Sequence, residues 1–460
     1  MALLPAILLV LAVVAVPISR RVTGDFFHPA ALFVAIWSLA VGLFLLYLLP
    51  FEPPGPGTLF VVLASVALMA AGTFVGQWLE RRRPPSAARA VPPARAWVWV
   101  LSGLGLAGIA WYVAEIVSIF GWPGLRDAFT VRTALGARAI PSTFLILELF
   151  CIAAPILAAA LALSGQKLRA RDWIGPVACA LGTWLTTDRA HFFLIVLTIF
   201  FMFVLCHGPR LSWARLFVAG ATAFTLLATN FLVVGAWTGK SAANLGVPLQ
   251  LPWTVHARRG ARRPPASAIE RLLERSVETT LQRGITIYLY TTASYAALGQ
   301  LMREPAGPPR ALYTIYPVTR LLERVHVVEP RLRQAPRLNI LTSSSPRLEY
   351  NVYTFLYEPL VDFGRPGAVA YAGLIGVLSG FAYGRLVRRR ASPASLLVMG
   401  QIATALTLSI FANRFTNTLS WYVFLATLAP VVLAARLGPL SRDRTASQPA
   451  SGPGGVAPAG

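Results

Sequence analysis

The chain has 460 residues, of which 56% are hydrophobic and only 13% are charged. Soluble domains carry about 25% charged residues, so this composition excludes an ordinary soluble protein and indicates an integral membrane protein. A net charge of +23 would favour nucleic-acid binding in a soluble chain, but in a membrane protein basic residues mark the cytoplasmic loops. We therefore predict no nucleic-acid partner.

Eleven apolar segments are predicted to cross the bilayer, because a transmembrane helix needs about 20 mostly apolar residues. The fold class is therefore an all-α polytopic membrane protein. In chain order, the predicted spans are residues 3–18, 28–49, 58–79, 96–119, 143–164, 173–187, 190–207, 213–238, 366–386, 394–412 and 418–437.

The spans divide the chain into four regions. Residues 1–238 hold the first eight predicted spans, and residues 239–365 form a polar insert predicted to contain amphipathic helices. Residues 366–440 hold the last three spans, and residues 441–460 are predicted to be a disordered tail rich in Ser, Pro, Gly and Ala. Within the insert, the apolar run 285–301 predicts an interfacial or re-entrant helix with its tyrosines in the headgroup region.

The basic residues of the short loops predict the orientation. Most of them fall on one side of the membrane when the eleven spans are threaded in order. The positive-inside rule then places the N-terminus outside, the C-terminus in the cytoplasm and the insert on the outer, extracytoplasmic face.

Polar residues near the outer ends of the spans are candidates for function, because ionisable groups in a membrane are costly. Glu148 lies near the outer start of the fifth span, and Asp188 with Arg189 occupies the turn between the sixth and seventh. Asn413, Arg414 and Asn417 lie in the turn between the last two spans. The alternative is that such residues only face lipid headgroups.

Arginines on the outer face indicate an anionic ligand, since guanidinium groups bind phosphate through two parallel hydrogen bonds. The candidates include Arg126, Arg132, Arg138 and Arg365, and lipid headgroups are the alternative ligand. Glu358 and Asp362 could accept a proton from a hydroxyl, or form structural salt bridges. The sequence has no HExxH, P-loop or paired DxD motif, so we predict no metal and no cofactor.

The segment Asn351-Val352-Tyr353-Thr354-Phe355, followed by Asp362-Phe363-Gly364, resembles the oligosaccharide repeat unit polymerases, the Wzy-type O-antigen polymerases. Thr187-Asp188-Arg189 and Tyr288–Leu298 are similar to parts of that family. A glycine-punctuated span (Gly373, Gly376, Gly380) and the large outer insert before the last spans match its architecture.

The resemblance implies a metal-independent membrane glycosyltransferase of GT-C-like architecture in a bacterial cytoplasmic (inner) membrane. Such an enzyme transfers a glycan from undecaprenyl pyrophosphate to another lipid-linked repeat, for O-antigen, capsule or exopolysaccharide. Membrane lipids, a flippase and a chain-length regulator are the further partners it implies. Asp188, Arg189, Glu358 and Asp362 would then be catalytic, and Tyr350, Asn351, Tyr353 and Thr354 would shape the sugar site.

A lipid substrate needs a lateral opening, which the glycine-rich span 366–386 would permit. Three alternatives stay open. An O-antigen ligase would use His256 or His326 of the insert, a polysaccharide transporter or flippase would show charged residues at mid-membrane, and an assembly protein would have no activity.

Overall fold

The computed structural model describes residues 3–49, 51–84, 95–122, 142–185, 189–237, 288–289, 291–303, 313–319, 338–339, 349–350, 354–389 and 392–446. The helices before the insert are α1 (Leu3–Thr23), α2 (Pro29–Phe44), α3 (Pro56–Arg81), α4 (Arg95–Phe120), α5 (Ser142–Leu163), α6 (Ala170–Gly182), α7 (Arg189–His207) and α8 (Trp213–Trp237).

The insert contributes a helix, α9, over residues 291–301 and a short antiparallel pair, β1 (Leu338–Asn339) with β2 (Glu349–Tyr350). Leu338 pairs with Tyr350, and Asn339 pairs with Glu349. Three helices follow: α10 (Tyr357–Arg388), α11 (Pro393–Thr407) and α12 (Thr418–Ala446).

Within these ranges, 7 helices are long and apolar enough to cross a membrane, as expected of a polytopic membrane protein. They are Leu3–Thr23, Pro56–Arg81, Arg95–Phe120, Ala190–Arg210, Tyr357–Arg388, Pro393–Ile410 and Thr418–Arg436. Each of the eleven predicted spans contains a helix. However, α6 has only 13 residues, which is about 20 Å of helix against a hydrocarbon core of about 30 Å.

Two predicted boundaries differ from the structure. Helix α10 begins at Tyr357 instead of residue 366, and Gly364 interrupts it with φ 68° and ψ −170°. Glycine adopts this left-handed φ readily, so the chain turns there and continues as a second helical piece. The predicted start at residue 366 followed from the apolar run alone, which begins only after the polar residues 362 and 365. At the other end, α12 continues to Ala446, inside the stretch predicted to be a disordered tail.

Helix α5 forms the centre of the bundle. Residues 151–161 are almost completely buried, and many of them are alanines. Helices α4, α6, α7, α11 and α12 all pack around α5. Small side chains let so many neighbours approach one helix, because they keep the backbones close together.

Helices α3 and α10 pack with their backbones close together, and glycines make the contact possible. A Cβ atom on Gly380 would lie 1.9 Å from the carbonyl oxygen of Thr73, and one on Gly376 would lie 2.2 Å from that of Met69. On α3, a Cβ on Gly76 would lie 2.0 Å from the carbonyl oxygen of Val377. The glycines thus close α10 against α3, so the predicted lateral opening does not lie between these two helices in the structure.

Arg20, at the end of α1, joins two distant parts of the chain. Its guanidinium donates hydrogen bonds to the carbonyl oxygens of Gly208 (3.1 Å), Pro209 and Leu211 (3.2 Å), which follow α7, and to that of Gly24. Carbonyl groups at a helix C-terminus lack partners within the helix, and a cation there satisfies them and opposes the helix dipole.

We expect Arg20→Gln to destabilise the protein by about 1.5–3 kcal/mol, because charge-assisted hydrogen bonds contribute about that much. Arg21→Gln is the matched control, since Arg21 is exposed and such surface changes usually stay within about 0.5 kcal/mol. Thermal unfolding in detergent checks both variants, and equal melting temperatures would contradict the role given to Arg20.

Helix α9 lies inside the protein. Tyr288, which precedes it, donates to the carbonyl oxygen of Leu43 at 3.1 Å, and burial raises the pKa of its phenol to about 12. Tyr295 is 2% exposed, with its ring 4.8 Å from that of Phe44. Tyr288 and Tyr295 therefore contact protein, and the prediction that the tyrosines lie among headgroups is wrong for these two residues. The re-entrant alternative for this segment stays a prediction.

Candidate functional site

Several predicted site residues lie outside the described part of the chain: Arg126, Arg132, Arg138, Asp188, Asn351 and Tyr353. Arg189 begins α7 and Tyr350 belongs to β2, and only their backbones are described. For these residues the site remains a prediction. The other candidates have defined surroundings and fall into three groups.

The first group joins Glu148 of α5 to His191 of α7. His191 Nδ1 lies 2.8 Å from Glu148 Oε1, and the side chains are only 8% and 4% exposed. The two atoms form an electrostatic contact rather than an aligned hydrogen bond. Removal of either side chain would leave a buried charge or polar group without that partner.

Further along α7, polar side chains connect this helix to α11, and α11 to α12. The hydroxyls of Thr198 (α7) and Thr404 (α11) are 3.0 Å apart, and Gln401 Nε2 donates to Thr427 Oγ1 of α12 at 2.8 Å. Thr198 is seven residues beyond His191, or about 10 Å along the helix. Polar side chains therefore join α7 to α11 and α11 to α12 within an otherwise apolar core.

Arg414 borders a small cavity in this region, with a volume of about 30 Å³. Its other walls include Ile156, Leu194, Thr198 and Ser420. A cavity of this size holds a water molecule, and its polar walls would give such a water partners. Arg414 thus brings a cation from the turn after α11 into the space beside the Glu148 and His191 helices.

The neighbouring asparagines shape the same turn. The Asn413 side chain is 3% exposed and lies 3.3–3.4 Å from the Tyr371 hydroxyl of α10. Asn417 Oδ1 accepts from the backbone N–H of Ser420 at 3.3 Å, so it caps α12. Glu358, in the first turn of α10, interacts electrostatically with Tyr371. Asn413 therefore links this turn to α10, and Asn417 stabilises a helix end.

The second group fastens the insert to α10. Asp362 is completely buried, and its Oδ2 accepts from the backbone N–H groups of Tyr313 (2.9 Å) and Thr314 and from the Thr314 hydroxyl (2.7 Å). Arg365, just beyond the Gly364 turn, donates to the carbonyl oxygen of Met302 at 3.0 Å. Both residues were predicted to meet substrate, and the structure places them against the insert.

We expect Asp362→Ala to loosen the insert without unfolding the bundle, because three donors lose one shared acceptor. Limited proteolysis should then cleave near residues 313–319 faster than in the wild type. The neighbouring Phe363→Ala is the control, since that ring is 46% exposed. Identical digestion of the two variants would contradict an anchoring role for Asp362.

The third group is structural. Thr354 is 1% exposed, and its hydroxyl accepts from the backbone N–H of Leu356 at 3.3 Å. Phe355 is completely buried, with its ring 5.3 Å from that of Phe33 and its N–H donating to the carbonyl oxygen of Ser409. Thr354, predicted to shape the sugar site, therefore supports the turn into α10, and the adjacent Phe355 packs in the core.

Sequence reasoning missed His191. His191 lies two positions after Arg189, in the first turn of α7. An ionisable residue at the start of a predicted span indicates a functional candidate, so the sequence could have identified it. Its partner Glu148 lies 43 positions earlier in the chain. The pairing could not be read from spacing, because it depends on how α5 and α7 pack.

Searches of protein-family models, curated proteins and solved structures found no match to this chain.

Proposed function

We propose that the protein is a membrane glycosyltransferase that polymerises lipid-linked oligosaccharide repeat units. It would work at the outer face of a bacterial inner membrane, with eleven spans, an outer N-terminus and a cytoplasmic C-terminus. The observation that carries the proposal is the buried Glu148–His191 pair, whose two helices also line the cavity bordered by Arg414.

The reaction needs a base and a cation. The bond between the anomeric carbon of the donor glycan and its undecaprenyl pyrophosphate breaks, and a bond to the acceptor hydroxyl oxygen forms. The acceptor proton moves to a base, for which His191 oriented by Glu148 is suited. The leaving pyrophosphate takes the bonding electrons, and Arg414 together with Arg189 would stabilise its negative charge without a metal.

The rest of the site supports this assignment. The insert is fastened to the bundle through Asp362 and Arg365, and Glu52 of the α2–α3 loop forms an ion pair with Arg303 at 2.8 Å. The described part of the insert is thus held against α10 and the α2–α3 loop. Fixed surroundings lower the cost of orienting two lipid-linked substrates.

The proposal is tested by deleting the gene in its own host and restoring it as wild type or as Arg189→Ala. Surface glycan is resolved by gel electrophoresis, and protein amounts are compared by immunoblot. We expect the deletion and the variant to lose long glycans while keeping products with a single repeat. Normal ladders from a well-expressed Arg189→Ala protein would contradict the role of that residue.

The same gel separates the alternatives. Loss of all attached glycan would indicate an O-antigen ligase instead. Accumulation of single lipid-linked repeats on the cytoplasmic leaflet would indicate a transporter or flippase. Unchanged glycan in the deletion strain would contradict the whole proposal.

A further inference from the structure

A second, larger cavity lies away from the polar site. It is a groove of about 570 Å³ between α7 and α8, a size typical of small-molecule pockets. Its walls are apolar residues such as Val196, Phe200 and Phe203 of α7 and Val218 and Leu226 of α8. Helix α8 packs mainly against α7, so the groove opens toward the surrounding lipid.

The groove has the dimensions of one lipid chain. The α8 residues that line it run from Ala214 to Leu226, which is about 18 Å of helix. One leaflet contributes about 15 Å of hydrocarbon, half of the bilayer core. An acyl chain of a single leaflet therefore fits along the groove.

Arginine marks one end of the groove. Arg215 is part of its lining and is exposed, and Arg210 lies exposed in the turn between α7 and α8. Neither α7 nor α8 contains an acidic residue. This end is opposite the Glu148–His191 pair, because His191 lies in the first turn of α7 and Phe203 near its last turn. The charge therefore favours an anionic headgroup at the arginine-rich end.

We propose that the α7–α8 groove is a binding site for one anionic phospholipid, with an acyl chain between the helices and the phosphate at Arg215 and Arg210. The lipid comes from the leaflet at the arginine-rich end. Because it fills the space beside α7, it supports the helix that carries His191. The site does not depend on the proposed glycosyl transfer.

The test uses the full chain in vesicles of phosphatidylcholine containing phosphatidylglycerol, followed by native mass spectrometry of the retained lipids. We expect the wild type to keep one phosphatidylglycerol in preference to phosphatidylcholine. Arg215→Gln should lower this preference about fivefold, which corresponds to about 1 kcal/mol for one arginine near the membrane surface. Arg215→Lys keeps the charge and should keep most of the preference.

A second pair of variants tests the groove itself. Ala219→Phe places a ring in the groove that Ala219 lines, and it should abolish retention of the lipid. Gly220→Phe is the matched control, because a Cβ on Gly220 meets no atom within 4 Å. Elution as a single peak in size-exclusion chromatography confirms that each variant is folded.

Three results would overturn the proposal. They are equal retention of the two phospholipids by the wild type, unchanged retention in folded Ala219→Phe, and displacement of phosphatidylglycerol by an equimolar polyprenyl phosphate. The last would assign the groove to a lipid-linked substrate. None of them bears on the glycan ladders that test the proposed function.

Discussion

Gly380→Ala is expected to prevent most of the protein from folding, although it adds only one methyl group. The new Cβ would lie 1.9 Å from the carbonyl oxygen of Thr73, in the backbone of α3. A backbone atom within a helix cannot move aside as a flexible side chain can. Overpacking typically costs about 1–3 kcal/mol and occasionally more, and here α3 and α10 would have to separate along their length. The yield of monodisperse protein and its melting temperature measure the effect.

Gly103→Ala on α4 is the matched control for this prediction. Both glycines lie in helices that are long and apolar enough to cross a membrane, but a Cβ on Gly103 would have no neighbouring atom within 4 Å. Alanine is favoured over glycine in a helix by about 1 kcal/mol, so Gly103→Ala should be neutral or stabilising. If Gly380→Ala were as stable as Gly103→Ala, the two helices would not be in backbone contact.

In the glycosyl transfer that we propose, His191→Asn is expected to reduce the rate by about 10²–10⁴-fold, the usual contribution of a general acid or base. Asparagine keeps a polar group beside Glu148 but cannot exchange a proton near neutral pH. Glu148→Gln should reduce the activity less, because it removes the partner that orients the imidazole and leaves the base in place. The rate of glycan-chain growth per folded protein is the quantity to compare.

His207→Asn controls for a general effect of changing a histidine on α7. His207 lies at the other end of the helix, where its Nδ1 is 2.8 Å from the carbonyl oxygen of Phe203. We expect the activity of the His207→Asn variant to match that of the wild type.

The double variant Glu148→Gln with His191→Asn tests whether the two residues act together. Its loss of activity should resemble that of His191→Asn alone, because the effects of mutating residues in contact are not additive. Wild-type chain growth in a folded His191→Asn protein would remove His191 from the catalytic role.

The positions of most helices follow from the sequence, because each apolar run long enough to span a bilayer must satisfy its own backbone hydrogen bonds. This argument predicted a helix in each of the eleven segments. The argument missed the start of α10, which lies before Gly364, where a positive φ lets a first helical piece precede the span. It also missed the surroundings of α9, whose apolar residues are buried against protein instead of lipid. Hydropathy alone does not distinguish those two surroundings.

The site was only partly predictable. Glu148 and Arg414 were identified because ionisable residues in a membrane are costly and tend to be functional. Asp362 and Arg365 have the chemistry of substrate-binding groups, and only the tertiary structure shows that their partners are Thr314 and Met302 of the insert. A carboxylate is the same residue type in the sequence whether it binds a substrate or a loop, so its role depends on the groups that surround it in the folded protein.

The sequence by itself determined that this is a helical membrane protein with a long polar insert, because hydrophobicity and charge are properties of segments. The tertiary structure decided which helices meet. The contact of α3 with α10 through glycines and the pairing of Glu148 with His191 join residues that are far apart in the chain. Such contacts depend on how complementary surfaces pack in three dimensions, and no local pattern encodes the partner.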